Sequence, residues 1–373
     1  MATSYHAEHV GSLLRPPELL EARRAHAEGR VSDERLRELE DQAVLQAIEV
    51  QREAGMPVFT DGEMRRATWM AGLLENLGGI EPLPFGSVAV GWHREQGGDP
   101  PKDETDFQMV VARAKLTLKR PLTSIEAAFL AEHAPGPHKI TMMSASMGSL
   151  LWSPGISEPA YATPEAMMND LVEVQAQEIE GLLDQGVRWI QLDSLSYNQV
   201  IDPAFRAQTV GELDPGMILD GTVAIDNQLI RRARARQPEV TVGLHVCRGN
   251  NRSAWMAAGG YDPVAERLFG GVDVDRFLLE YDTERSGGFE PLRFVPRGKT
   301  VVLGLVSSKV PQLEPMDDLR RRIDEASRYV AMEDLALSPQ CGFASTAPGN
   351  LLTVDEERRK LELVAETAHR VWA

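Results

Sequence analysis

The sequence predicts an α/β protein built as a (βα)8 TIM barrel, and three observations carry that expectation. Eight short runs rich in β-branched or apolar residues recur along the chain. Most are separated by segments with the 3.6-residue period of amphipathic helices, the alternation expected of a parallel sheet. Potential metal ligands also gather at the C-terminal ends of predicted strands, the rim on which such a barrel carries its chemistry.

The first two runs are Ala7 to Ser12 and Pro57 to Glu63. Between them, Val31 to Ala54 places Leu36, Leu39, Ala43, Leu45 and Ile48 among charges, with Ser32 and Asp33 as N-cap candidates. The third and fourth runs, Lys139 to Ser146 and Arg188 to Ser194, flank a predicted helix from Thr163 to Gln185. That helix opens with Thr163 as cap and Pro164 at the first helical position, and Gly186 marks its end. Runs five to eight are Thr241 to Cys247, Arg276 to Asp282, Thr300 to Ser308 and Leu335 to Phe343. Predicted helices at Met316 to Met332 and Thr353 to Trp372 complete the set, the last able to close the ring against its first strand. The whole chain, 1–373, thus reads as one catalytic barrel domain.

One connection breaks the pattern. Residues 64–138 separate the second and third runs and include a charged stretch, His93 to Lys102. Loops that follow barrel strands lie on the catalytic face, so this insertion is expected over the mouth, as a lid or a contact in a homo-oligomer.

A formal charge of −17 over 373 residues argues against nucleic acid or anionic lipid as a partner, since both need clustered Lys and Arg. The longest apolar stretches, such as Thr300 to Val306, fall far short of the roughly 20 residues of a membrane span. Met1 to Val10 lacks the basic-then-apolar order of a signal peptide, and only two cysteines are present, so the expected location is cytoplasmic.

The chemistry concentrates at four positions. His245 and Cys247 end the fifth run, Glu280 lies in the sixth and Cys341 in the eighth. Residues i and i+2 of a strand face the same side, so His245 and Cys247 can point together into the mouth. Zinc favours thiolate and imidazole, tolerates carboxylate, and in such a site keeps a position open for substrate. A thiol with pKa near about 8.5 is mostly protonated at neutral pH, and zinc coordination deprotonates it into a nucleophile for an alkyl donor. Packing cysteines or a Cys247–Cys341 disulfide are the alternatives, the latter disfavoured in a reducing compartment.

The chain also carries His9-Val-Gly-Ser-Leu-Leu-Arg-Pro16, Thr60-Asp-Gly-Glu-Met-Arg-Arg66, Gln191-Leu-Asp193, His245-Val-Cys-Arg-Gly-Asn250, Leu279-Glu280 and Ser338-Pro-Gln-Cys-Gly-Phe343. By these motifs it resembles the cobalamin-independent methionine synthase family, in its catalytic carboxy-terminal barrel and single-barrel methionine synthase II-like relatives. The resemblance implies zinc held by His245, Cys247, Glu280 and Cys341, with Ser12, Glu63 and Asp193 binding the amino-acid part of homocysteine. Glu63 and Asp193 suit a substrate ammonium, and Ser12 with nearby backbone suits a carboxylate. Trp152 stands where the family places a tryptophan beside the pterin of the methyl donor. Val306 stands where the long enzymes carry a histidine.

The function expected is therefore zinc-dependent methyl transfer to a thiol, homocysteine by default, giving methionine. Methyltetrahydrofolate, a methyl-corrinoid protein and a small onium or S-methyl compound are the candidate donors. Two other readings stay open: alkyl transfer to coenzyme M, with Arg248, Arg15 or Lys309 holding its sulfonate, and a zinc-buffering or thiol-sensing barrel without turnover.

Overall fold

The computed structural model describes residues 5–70, 76–83, 91–94, 110–120 and 123–373. The chain opens with helices α1 (Pro17–Ala27) and α2 (Asp33–Glu53), an antiparallel pair β1 (Leu77–Pro82) and β2 (Val110–Leu118), and helix α3 (Ser124–His133). Six parallel strands follow, β3 (Ile140–Met143), β4 (Trp189–Asp193), β5 (Thr241–Val246), β6 (Arg276–Glu280), β7 (Thr300–Val306) and β8 (Leu335–Pro339), hydrogen-bonded in that order. Between and after them lie α4 (Pro164–Asp184), α5 (Asn198–Ile201), α6 (Pro203–Thr209), α7 (Pro215–Arg236), α8 (Ala265–Gly271), α9 (Met316–Ala326) and α10 (Val354–Trp372). The architecture is a mixed α/β fold around a parallel sheet. Among the described residues no helix is long and apolar enough to cross a membrane.

Local signals explain most helix boundaries. Ser32 accepts from Arg35 N at the start of α2, and Thr163 from Ala166 N ahead of Pro164 in α4. Thr353 and Glu356 form a reciprocal capping box on α10, which satisfies two otherwise orphaned N–H groups. The predicted helix to Met332 ends earlier, at Ala326. Beyond it the Ser327 hydroxyl turns back onto the Asp324 carbonyl, and Met332–Asp334 is a separate 3₁₀ turn.

The first two predicted strands differ from expectation. Each makes a single parallel bridge, Ala7 to Leu337 of β8 and Phe59 to His138 just before β3. They touch each other where Leu13 N donates to the Gly62 carbonyl at 3.0 Å. In the second, side-chain competition contributes: the Gln51 amide both donates to the Thr60 carbonyl and accepts from Thr60 N, taking backbone groups a ladder would use. Positive φ at Gly11, Gly62 and Glu63 then bends both segments off the strand path.

The insertion folds in part as the β1–β2 hairpin, which packs on the region ahead of α4 through Leu116 N to Tyr161 Oη and Ser157 Oγ to the Ala112 carbonyl. Two of its segments reach loops that follow sheet strands: Thr68 bridges Thr346, and His93 bridges Trp255. The remainder of the charged stretch, 95–102, lies outside the described residues.

Beneath the strand ends, a buried polar network ties four extended segments together. Lys139 Nζ donates to Glu8 Oε1 (2.7 Å), the His9 carbonyl (2.6 Å) and Gln191 Oε1 (2.6 Å), while Arg276 Nε donates to Glu8 Oε2 (2.9 Å). Burial alone would push the Glu8 pKa up, and the two cations hold it below the usual range. The Gln191 amide passes the order upward, donating to the Val10 carbonyl and to Asp193 Oδ1, both at 2.7 Å.

Helix α10 returns to the start of the chain, where buried Glu357 accepts from Leu14 N at 2.8 Å. Burial drives its pKa up to about 8, against the Leu14 hydrogen bond, so it folds as a neutral acid. Because the folded value exceeds the unfolded one, its stabilisation is complete below about pH 4.5 and is lost as pH rises through about 8. Glu357→Gln, neutral throughout and still an acceptor for Leu14 N, is expected to match the parent near pH 5 and exceed it by about 1–3 kcal/mol at pH 9. Urea unfolding midpoints at the two pH values test this; a difference that does not grow with pH refutes the neutral acid.

Candidate metal centre

Strand register brings the candidate ligands together. Asp193 at the end of β4 lies opposite His245 on β5, Cys247 follows β5 directly, and Cys341 follows β8. The sheet can draw β6 and β8 together around β7 because Gly304 has no side chain: a Cβ there would lie 2.6 Å from the Leu279 carbonyl oxygen and 2.7 Å from Gln340 Cα.

The donor atoms of His245, Cys247 and Cys341 all lie within 4.8 Å of one another, and all three residues are buried. The two sulfurs are 3.8 Å apart. Sulfurs bound tetrahedrally at about 2.3 Å sit about 3.8 Å from each other, so the pair already has the spacing of zinc ligands. His245 Nδ1 lies 3.1 Å from the Leu278 carbonyl, to which it can only donate, leaving Nε2 as the free lone pair. That Nε2 is buried and has no hydrogen-bond partner. An orphaned imidazole nitrogen beside two close thiols is the donor set a borderline-soft divalent metal takes, so these residues fit zinc.

The electrostatics agree. The contact with Cys247 and the neighbouring His245 hold the Cys341 thiol well below its ordinary range, although burial opposes this. The contact with Cys341, with burial, pushes the Cys247 thiol well up. Burial disfavours the His245 imidazolium, but the Cys341 sulfur and the Asp193 carboxylate leave its pKa raised.

The cluster opens into a cleft whose walls include all three expected substrate-binding residues, Ser12, Glu63 and Asp193. Glu63 sits in a left-handed turn at φ 57°, held by Asp61 Oδ1 accepting from its N–H at 3.0 Å. Such strain persists only where surrounding structure enforces it. One oxygen accepts from Thr141 Oγ1 at 2.9 Å, and the other, Oε2, is buried without a partner. Burial raises the Glu63 pKa despite Arg66 and Arg15. Burial also raises Asp193 to about 7; His245 opposes the rise and Glu63 adds to it. Two buried carboxylates, one lifting the other, make a site that gains when a cation enters. Ser12 reaches the wall only because position 342 is glycine: a Cβ there would lie 2.0 Å from Ser12 Oγ.

Glu280 and Trp152 are placed differently. Glu280 is buried at the end of β6 but outside the three-residue group. Its Oε2 accepts from Arg248 N at 2.8 Å and its Oε1 from Arg285 Nη2 at 2.6 Å. Burial lifts its pKa to about 7 against the lowering influence of Lys309 and Arg248. The Trp152 indole donates to the Tyr161 carbonyl at 3.0 Å and is not on the cleft wall. Of the cations considered for a sulfonate, Arg248 spends its guanidinium on the Gly259 carbonyl and the Tyr261 ring, and Arg15 on the carbonyls of Glu63, Arg66, Ala344 and Thr346.

Several wall residues escaped sequence reasoning. Trp69 arrives with the insertion, its N–H donating to the Ser345 carbonyl at 2.9 Å, and no local pattern announces it. Asn250 was visible within the His245-to-Asn250 motif. Its Nδ2 donates to the Gly342 carbonyl at 2.7 Å, joining the loop after β5 to the loop after β8.

The chain is similar to known proteins over nearly its whole length. Residues 5–369 match the model of the family described as cobalamin-independent synthase, catalytic domain. The Bacillus subtilis protein named uncharacterized protein YxjH is 38% identical over 373 residues, covering 99% of this chain and 95% of its own length. A methionine synthase from Pyrococcus abyssi is 24% identical over 337 residues, or 90% of this chain and 85% of its own. The crystal structure of a putative vitamin-B12 independent methionine synthase from Listeria monocytogenes superposes with a TM-score of 0.75 at 29% identity, covering 100% of this chain and 99% of that one. The chain belongs to the cobalamin-independent synthase catalytic-domain family.

Proposed function

We propose that this protein is a zinc-dependent S-methyltransferase that methylates homocysteine to methionine, on a sheet closed into an eight-membered (βα)8 ring by the 7–12 and 57–63 segments. The observation that carries the reading is one cleft in which an imidazole and two thiols lie beside two buried, cation-seeking carboxylates. An amino thiol satisfies both halves at once. The bridges of Ala7 to β8 and of Phe59 to the start of β3 support ring closure. Contacts of Thr68 and His93 with the loops after β8 and β5 support an insertion lying over the mouth.

His245, Cys247 and Cys341 would hold the zinc, with Glu280 as fourth ligand once it leaves Arg285. Bound there, zinc supplies the Lewis acidity that removes the proton from a substrate thiol at neutral pH. The remaining work falls to the chain. Asp193 and Glu63 take the ammonium, and its charge returns both carboxylates to their ionised forms. Ser12 hydrogen-bonds the substrate carboxylate. Gln191 and Thr141 hold the two acidic side chains in place, so the acceptor sulfur is presented in one orientation to the methyl group. Coenzyme M brings a sulfonate and no amine, and would face those carboxylates with Arg15 and Arg248 already engaged and only Lys309, of the three cations considered, without a hydrogen-bond partner.

Titration calorimetry of the zinc-loaded protein in two buffers of different ionisation heat tests this. Homocysteine is expected to bind with release of at least one proton, the thiol's, with a further contribution from the two carboxylates, and at least about 100-fold more tightly than coenzyme M. Tighter binding of coenzyme M, or binding without proton release, overturns the proposal.

A further inference from the structure

Three lysines are buried among the described residues, and two are fully paired. Lys139 has Glu8, the His9 carbonyl and Gln191, while Lys360 has the Gln312 carbonyl and both oxygens of Glu314. Lys309 is different: it is 2% exposed, and its Nζ is buried with no hydrogen-bond partner. It follows β7, which lies between β6 and β8, so it emerges among Glu280, Asp282 and Cys341. Each nearby carboxylate is already claimed. Glu280 holds Arg248 N and Arg285, Asp282 holds Ser307 Oγ and Arg285, and Glu314 holds Lys360 and Ser307 N. Its charge acts on Glu280 and Asp282 and reaches both sulfurs of the cluster.

A bare buried ammonium costs several kcal/mol unless an anion compensates it. Resting on the zinc-thiol reading above, a charge count identifies that anion. With Glu280 displaced from the metal by the acceptor, a zinc ion with two cysteine thiolates and a neutral imidazole sums to zero, and the two carboxylates Glu280 and Asp282 offset Arg285 and Arg248, which leaves Lys309 over. The arriving acceptor thiolate adds one negative charge that no other group among these offsets. We infer that Lys309 is the counter-charge for the acceptor's sulfur anion, a positioning residue that favours thiolate over thioether at the metal. Methylation turns the sulfur neutral, so the same lysine holds the substrate and gives no such hold on the product.

The test compares an anionic with a neutral sulfur on the same site. Zinc-loaded wild type, Lys309→Met and Lys309→Arg are titrated with homocysteine and with methionine by calorimetry, with zinc content measured in each. An opposite charge a few ångströms away shifts an acid by about 1–3 pKa units. Lys309→Met is therefore expected to bind homocysteine about 10- to 100-fold more weakly and methionine within about 3-fold of wild type, with Lys309→Arg close to wild type for both. 2-Mercaptoethanol titrated into cobalt-loaded protein, followed by sulfur-to-metal charge-transfer absorption, separates this from the choice of acceptor. The same Lys309→Met loss is expected there even if homocysteine proves not to be preferred. Equal weakening of homocysteine and methionine, or no weakening of either, overturns the inference. So does loss of the metal from both Lys309→Met and Lys309→Gln, which would assign the charge to the resting ligands.

Discussion

Cys341→Ala protein is expected to bind zinc at least about 100-fold more weakly than the parent and to lose methyl transfer with it, because outer partners of zinc ligands alone change affinity about 10- to 100-fold. The substitution removes one of three donors, the thiol that contact with Cys247 and the neighbouring His245 hold well below its ordinary range. His245 and Cys247 alone are too few to hold the ion in a closed tetrahedral set. The side chain is small and lines the cleft, so the protein is expected to stay folded, checked by circular dichroism. Competition against a chromophoric chelator gives the affinity. Glu280→Gln in the same assay is expected to lose only about 10-fold, since Glu280 stands outside the three-residue group and must first leave Arg285. Full zinc affinity in Cys341→Ala would remove Cys341 from the ligand set and with it the proposed chemistry.

Asp193→Asn is expected to lower homocysteine affinity by about 30- to 1000-fold, the 2–4 kcal/mol scale of a buried charge-assisted contact. The amide preserves shape and the hydrogen-bonding reach of Gln191 while deleting the charge that would meet the ammonium. Zinc content should change little, because Asp193 is no member of the donor cluster. The informative comparison is a thiol lacking the amine, 3-mercaptopropanol. Wild type should strongly prefer homocysteine over it, and Asp193→Asn should lose most of that preference. A variant that weakens both thiols equally would show that Asp193 acts on the metal site through His245, its neighbour across β4 and β5, and would withdraw the ammonium-binding role.

The helices were legible because their signals are local. Thr163 with Pro164, and Thr353 with Glu356, satisfy N–H groups within one turn of themselves, whatever surrounds them. The metal cluster was legible because strand geometry places His245 and Cys247 on one face, and because a chain with only two cysteines leaves Cys341 as the natural third donor.

Tertiary structure decided what depends on distant partners. Gln51, nine residues from Thr60, helps turn the second predicted strand into a single bridge by taking backbone groups. Arg248 and Arg285 draw Glu280 away from the sulfurs, a competition no strand-end rule anticipates. Trp69 enters the cleft because the path of the insertion is set there by contacts with Ser345 and Thr346, far away in sequence, and Trp152 turns to the Tyr161 carbonyl instead. Sequence by itself determined which residue types meet at the sheet's end and which helices form, since caps and periodicity act over a few residues. Which donor is free, which carboxylate is paired and which lysine is left bare were decided by the fold, because a buried polar group takes whichever partner packing brings within reach.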